Sequence, residues 1–333
     1  MTVHAQATRE EARSFTVDLA VVVVSANDAR WLEPCLSSIY AHAGGVELQV
    51  IVVDNASSDG TRELVESHFP QARVLTSPNL GFAYGNNRGL EHTLARYMLL
   101  LNPDTEILQG DFADLLSALD ASPEVGIAGV RQVDGEGVLL PTMRRFPNAL
   151  RALGEALASE RWPVHPAWAG ERVLESTAYG RAGECDWVVG SFLLARREAL
   201  LAAGLLDERF FLYCEEPDLC LRVARAGWRV RYLPRMTIRH HAGKGGVRPR
   251  LLAQEAFARR QYARKHFGPV HRTLYLVALA ARYGLRGRTW ALGSLSGRGA
   301  PPFVMPPPQA LSSVAPPPQA LASTARCSEE APT

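Results

Sequence analysis

Three clusters in this chain combine residue types that do chemistry. In the first, Asn102-Pro103-Asp104 follows the apolar run Tyr97–Leu101. A strand that apolar is buried, so the carboxylate emerges at the sheet's edge, in a turn fixed by Pro103. Hard oxygen ligands suit Mg2+ or Mn2+, held by one or two carboxylates plus substrate phosphates. Taken in isolation, Asn102 and Asp104 fit equally the ordinary role of ending a strand and capping a turn. The second cluster runs from Tyr213 to Arg222, YCEEPDLCLR. Pro217 suits the first helical position, which leaves Glu216 at or before the cap and free to point into a cleft. Asp218 then complements the helix dipole and pairs with Arg222 one turn on. Glu216 is the candidate base, because a carboxylate set against a hydroxyl proton needs a cleft and a tunable pKa. The third cluster, Ile238–Gly246, reads IRHHAGKGG. Its histidines suit a metal site, and its glycine-rich loop suits backbone contact with a diphosphate. Adjacent histidines in an arginine-rich region equally suit an exposed surface.

The elements that must position these groups alternate. Leu19–Ser25 (LAVVVVS) is a short β-branched run of the kind buried in parallel sheets. A helix over Arg30–Ala43 follows, then strand Leu48–Asp54, a short helix from Thr61, strand Arg73–Ser77, helix Phe82–Arg96 and strand Tyr97–Leu101. Helix Asp111–Ala121 and strand Val125–Val130 extend the series. The pattern predicts a doubly wound, mostly parallel α/β sheet. Residues 147–182 show no pattern and read as an insertion. Beyond them come strands near Trp187–Ala195, helices from Arg197 and from Pro217, strand Trp228–Leu233, and two helices over residues 251–286. In such a sheet ligands bind beyond the carboxyl ends of the strands. Those ends carry Ser25 and Asn27, Asp54, Asn79 to Gly81, and Asn102 to Asp104. Neither GxGxxG nor GxxxxGK[ST] is present, which points to a metal ion for the phosphates of a bound nucleotide.

Charge is unevenly spread. The chain of 333 residues has a formal charge of +2, yet Arg222 to Arg298 holds 18 basic residues against one acid, Glu255. The remainder holds 18 basic and 33 acidic residues. Such asymmetry suggests a polyanionic partner: nucleic acid, an anionic membrane or a phosphorylated substrate. No RNA-binding or helix-turn-helix signature accompanies it, which argues against nucleic acid. The five cysteines show no CxxC pair or zinc spacing and fit free thiols in a reducing cytoplasm. The N-terminus lacks an apolar signal core, and no apolar stretch reaches the ~20 residues that span a bilayer. The expected division is a flexible lead over 1–16 and a globular domain over 17–248, with a nucleotide-binding half (17–131) and a second half (132–248) that the resemblance described below makes the catalytic, acceptor-binding one. Basic amphipathic helices over 249–290 follow, then a disordered tail over 291–333 in which PPPQAL occurs twice.

Taken in order, VVVVSAND, VIVVDNASSDGT, SPNLGFAYGNNRGL, LLLNPDTEI, WVVGSFLLARREAL, LLDERFFLYCEEPDLCLRVARAGW and IRHHAGKGG resemble the inverting glycosyltransferases of family 2. These have the GT-A fold, and the likeness is to their rhamnosyltransferase-like branch, from about Leu19 to His266. The resemblance implies a nucleoside-diphosphate sugar donor, UDP- or dTDP-linked, and a glycan or polyprenyl-diphosphate-linked acceptor. It implies that Asp54 accepts the imide N–H of a uracil or thymine base. Ser25, Asn27, Asn55, Asn79, Gly81, Asn86 and Asn102 would line the nucleotide-sugar site. Asp104 and His240 would hold Mg2+ or Mn2+, and Glu216 would be the general base. Trp187, Gly190 and Glu215 would lie on the acceptor side. The enzyme would be cytoplasmic, peripheral on the inner face of the membrane, and serve cell-surface polysaccharide synthesis. Three departures stand out: Ala26 where the family usually has an aromatic, Glu-Glu where Glu-Asp is commoner, and Gly245 where the HxxGxS pattern has serine. An alternative role is a nucleotide-sugar-binding adaptor without catalysis.

Overall fold

A computed structural model describes residues 17–157, 168–241, 248–297 and 303. The lead over 1–16, the loop of the histidine cluster after His241, and both PPPQAL repeats lie outside these described residues. The first half follows the expected alternation. β1 (Leu19–Ser25), α1 (Ala29–Ala41), β2 (Leu48–Asn55), α2 (Thr61–His68), β3 (Arg73–Ser77), α3 (Phe82–Leu90) and β4 (Tyr97–Leu101) come in that order. β5 (Thr105–Gln109), α4 (Phe112–Asp120) and β6 (Val125–Val133) complete it. A second series follows: β7 (Met143–Arg144), α5 (Ala149–Leu157), β8 (Gly183–Glu184), β9 (Trp187–Val188), β10 (Phe192–Arg196), α6 (Arg197–Ala203), α7 (Glu215–Arg225) and β11 (Arg229–His240). Helices α8 (Pro249–His266), α9 (Pro269–Leu285) and α10 (Trp290–Ser296) end the described chain.

One sheet runs β3-β2-β1-β4-β10-β6-β11-β5, with β8 added on β11. Strands β1 to β4 are parallel, as the crossover pattern requires. Beyond β4 the sheet is mixed, because β10 runs antiparallel to both β4 and β6, and β5 antiparallel to β11. Period-two burial puts Val21, Val23, Leu99 and Leu101 on one face, under α1 and α4 through Leu32, Leu36, Leu115 and Leu119. Val22, Ile51, Val53 and Leu100 fill the other face with Ala83 and Leu90 of α3 and Leu219 and Val223 of α7.

Several boundaries differ from expectation, each for a local reason. Helix α7 begins at Glu215, so Pro217 occupies its third position instead of its first. The missing N–H is harmless there, since the first four amides of a helix have no intrahelical acceptor. Helix α3 stops at Leu90, and the carbonyl of Thr93 in the following loop accepts a hydrogen bond from the Arg197 guanidinium at 3.0 Å. Strand β11 runs on through Pro234, because the register shift between Tyr232 and Thr237 leaves proline outside the ladder. The supposed insertion contains α5, started by the Asn148 side chain accepting from Arg151 N–H at 2.8 Å. Its Ala152 packs with Tyr275, Ala278 and Leu279 of α9. Helix α10 falls inside the segment expected to be disordered; Ala291 and Leu295 are buried in the same cluster.

The C-terminal helices are joined to the core through Asp218. This carboxylate is fully buried. It meets Arg222 at 2.8 Å, Lys265 at 2.5 Å and His266 Nε2 at 2.7 Å. Burial alone would raise its pKa, but the His266 hydrogen bond and the charges of Arg222 and Lys265 outweigh that and hold it below the ordinary value. Replacing Asp218 by alanine is expected to cost about 3–5 kcal/mol of unfolding free energy at neutral pH, read from the urea midpoint. The native contribution exists above the unfolded-state pKa of about 3.9 and is lost as pH falls through the lowered native value, so the two proteins should converge in acid.

Candidate active site

The sheet's register brings the strand-end residues together. Ser25 is the direct neighbour of Asp54 across β1 and β2, and Asn55 of Ser77 across β2 and β3. Asp54 is buried and accepts the N–H of Ser57 at 2.9 Å. Asn27, with φ 63, donates its backbone N–H to Ser57 Oγ at 3.0 Å, and its side chain accepts from Ser58 N–H at 2.8 Å. The Ser25 hydroxyl and the Asn55 carbonyl oxygen are buried with no protein partner, an arrangement that leaves acceptors and a donor for a ligand. Asn79 is exposed nearby in sequence. Gly81, at φ +108, lies so close to Phe211 that a Cβ would strike its backbone, and the next amide, Phe82 N–H, donates to Phe211 carbonyl at 2.7 Å. Asn86 is fully buried; its amide returns to the Phe82 carbonyl at 2.9 Å and braces α3, while its side-chain oxygen, like that of Asn55, has no partner among the described residues.

Asp104 and His240 are 136 positions apart in sequence but adjacent in space. Antiparallel pairing of β11 with β5 sets His240 opposite Thr105, and the Asp104 carbonyl accepts the His241 amide at 2.9 Å. Asp104 Oδ1 and His240 Nε2 then stand 3.3 Å apart. The neighbouring His241 ring stacks on Trp31 at 4.6 Å. One carboxylate and one imidazole fit an octahedral ion that completes its shell with water and substrate phosphate oxygens. No third His, Cys, Asp or Glu joins them among the described residues, so the donor set suits such an ion and not a closed structural zinc site.

A cavity of about 530 Å³ joins this end of the sheet to the acidic cluster. Asn102, His240, Trp187, Gly190, Glu215 and Glu216 all line it. The Gly190-Ser191 turn between β9 and β10 makes the junction. Asn102 N–H donates to Ser191 carbonyl at 3.1 Å, and Gly190 N–H donates to Glu216 Oε1 at 3.1 Å. A Cβ on Gly190 would come within 2.8 Å of that carboxyl, so glycine is what lets Glu216 seat there. The helix start that carries Glu216 follows two left-handed residues, Tyr213 (φ 70) and Cys214 (φ 68). Backbone in that region is held against its own preference by surrounding structure; here Gln254 of α8 donates to the Leu212 carbonyl at 3.1 Å.

Burial raises the pKa of Glu216, with the Gly190 hydrogen bond partly opposing it. Glu215 is pushed well above the ordinary glutamate value, first by burial and then by the charge of Glu216. Its Oε2 has no partner. Sequence reasoning named these acids but missed Arg144, which lines the same cavity and lies over the Trp187 ring at 5.6 Å. The sequence cue was slight: an Arg-Arg pair just before the patternless stretch. Because the folded Glu215 holds its proton more tightly than the unfolded chain, ionising it as pH rises costs stability. Glu215→Gln is therefore expected to melt above wild type at pH 7, with the gap closing below the unfolded-state value of about 4.3. Equal melting temperatures across that range would show that Glu215 carries no such strain.

Comparison with known proteins agrees with this geometry. The profile described as Glycosyl transferase family 2 matches residues 20–180. The N-acetylglucosaminyl-diphospho-decaprenol L-rhamnosyltransferase of Mycobacterium tuberculosis is 32% identical over 238 residues, covering 67% of this chain and 76% of that protein. Rhamnosyltransferase WbbL of Escherichia coli is 23% identical over 231 residues, covering 67% of this chain and 83% of that protein. Among solved structures, mannosyltransferase PcManGT from Pyrobaculum calidifontis, in complex with GDP-Man and Mn2+, superposes with a TM-score of 0.50 at 17% identity, over 93% of this chain and 85% of that one. That last likeness is one of fold, the GT-A arrangement. The chain belongs to glycosyltransferase family 2, in its rhamnosyltransferase-like branch.

Proposed function

We propose that this protein transfers a sugar from a UDP- or dTDP-linked donor to a hydroxyl of a polyprenyl-diphosphate-linked glycan, with inversion, in cell-surface polysaccharide synthesis. The observation that carries the reading is Glu216. Its partly buried carboxylate is fixed by Gly190 N–H in a cavity that also reaches Asn102 and His240 at the sheet's carboxyl edge. In this reading Asp54 and Ser25 hold the base and Asn102 lies beside the sugar. Glu216 takes the proton of the acceptor hydroxyl as its oxygen bonds to the anomeric carbon. The bond from that carbon to the diphosphate breaks on the opposite face, so one displacement inverts the centre. Asp104 and His240 would hold a divalent ion, which when bound stabilises charge on the departing diphosphate. The relatives' names support rhamnose as the sugar transferred, and the first of them supports a diphospholipid-linked N-acetylglucosamine as acceptor.

Membrane attachment completes the proposal. No described helix is long and apolar enough to cross a bilayer. Helix α9 instead turns Val270, Leu274, Val277 and Leu285 outward on one stripe, each more than half exposed. Such a helix suits an interfacial position on an anionic inner leaflet, where a lipid-linked acceptor resides.

Three outcomes follow. Glu216→Gln should retain donor binding by calorimetry while transfer falls at least tenfold, on the order of 1.4 kcal/mol or more of transition-state stabilisation; more than a tenth of wild-type kcat would remove Glu216 as base. Chelation should abolish transfer, Mg2+ or Mn2+ should restore it, and Asp104→Ala should raise the metal concentration needed. Changing Val270, Leu274 and Val277 to serine should reduce sedimentation with anionic vesicles, and unchanged sedimentation would dismiss the α9 contact.

A further inference from the structure

We propose that Arg144 and Arg172 form the binding site for the diphosphate of the lipid-linked acceptor, in the cavity that holds Glu216; this rests on the transferase reading above. Both side chains line that cavity. Arg144 belongs to β7, which pairs with β9 so that Arg144 sits opposite Trp187. On its other side an isolated antiparallel bridge sets Arg144 opposite Arg172. Like charges directly opposite across a strand pair repel. A fold that keeps them so has a use for an anion between them.

The nearby carboxylates bond other arginines, although the charges of Glu171 and Glu155 still act on Arg144. Glu171 meets Arg259 at 2.6 Å, Glu255 meets Arg259 at 2.8 Å, and Glu155 meets Arg282 at 3.2 Å. Among the described residues neither Arg144 nor Arg172 has a carboxylate within ion-pair distance, and the buried Nε of Arg144 has no partner. Burial, and then the charge of Arg172, push the Arg144 guanidinium down to about 10. The guanidinium carbon lies 5.6 Å from the centroid of the Trp187 ring, within reach of a cation–π contact. A planar guanidinium beside a second one suits two phosphate groups more than a single carboxylate.

The site also stands apart from the donor's. Asp104 and His240 lie on the main sheet, at β4–β5 and β11, whereas Arg144 lies on the separate β7–β9 ribbon. Glu216 lines the space that both groups share, and the charge of Arg144 is felt at its carboxylate. An acceptor whose diphosphate rests on the two arginines would therefore present its sugar within the base's cavity.

The test uses the full chain, Arg144→Gln and Arg172→Ala. Arg172 is exposed, so its variant keeps the fold. Binding of farnesyl diphosphate is measured by calorimetry. Transfer is measured to a polyprenyl-diphosphate sugar and to a phosphate-free alkyl glycoside of the same sugar. Each variant should bind farnesyl diphosphate about tenfold more weakly or worse and raise KM for the diphosphate acceptor similarly, with the KM values for donor and alkyl glycoside unmoved. Farnesyl diphosphate binding equal to wild type would overturn the site. Equal loss with both acceptors would show a merely structural role, and a loss falling on donor KM would assign the arginines to the donor. Arginine-dependent farnesyl diphosphate binding without transfer to any acceptor would uphold the site and overturn the transferase reading.

Discussion

The arrangement depends on a carboxylate with no access to water. Asp218 lies in the first turn of α7, and its ionised form persists only because Arg222, Lys265 and His266 surround it. Two of those partners belong to α8, so α7 and α8 cannot part without stranding a buried charge. The same turn begins with Glu215 and Glu216, so the ion cluster that secures the helix also fixes the proposed base. It further offsets the left-handed entry through Tyr213 and Cys214, which an isolated segment would relax.

Two kinds of pairing build the cavity around that helix. Backbone pairing places groups from distant parts of the sequence side by side: Ser25 with Asp54, Ser191 beside Asn102, His240 against Thr105. Side-chain ion pairs then close the far wall, where Arg259 and Arg282 engage Glu171, Glu255 and Glu155. The wall is polar yet mostly satisfied, and Arg144 and Glu215 are among the groups that face the space with a buried atom unpartnered among the described residues.

Much of this was legible in the residues themselves. Short apolar runs such as Leu19–Ser25 and Tyr97–Leu101 fold as buried strands, and their ends locate the proposed nucleotide face. What escaped reading was set by tertiary contact. Strand β5 is five residues of mixed polarity, recognisable only once β11 is beside it. Pro234 looked like a strand end until the register shift accommodated it. Helix α5 has alanine and glycine on its buried side, too small to give a strong hydrophobic signal, because α9 approaches it closely. Arg144 could not be singled out, since an arginine becomes noteworthy only when its surroundings lack a carboxylate. The basic block had suggested an external polyanion. Part of it serves the fold instead: Arg229, Arg235, Arg239, Arg259, Lys265 and Arg282 pair with Glu184, Asp114, Glu106, Glu171, Asp207 and Glu155.

That pairing gives the chain a direction in time. Each of those acids precedes its basic partner in the sequence, by about 40 to more than 130 positions. During synthesis the acidic portion emerges first, self-repelling and short of counter-charge. The sheet can form as its strands appear, but the wall of the cavity and the seat of Glu216 cannot settle until α8 has left the ribosome. A molecule interrupted before that helix would keep the proposed nucleotide face and lack the support of the proposed base. The uneven charge of the sequence thus acts as a clock, making the reactive half of the enzyme the last part to mature.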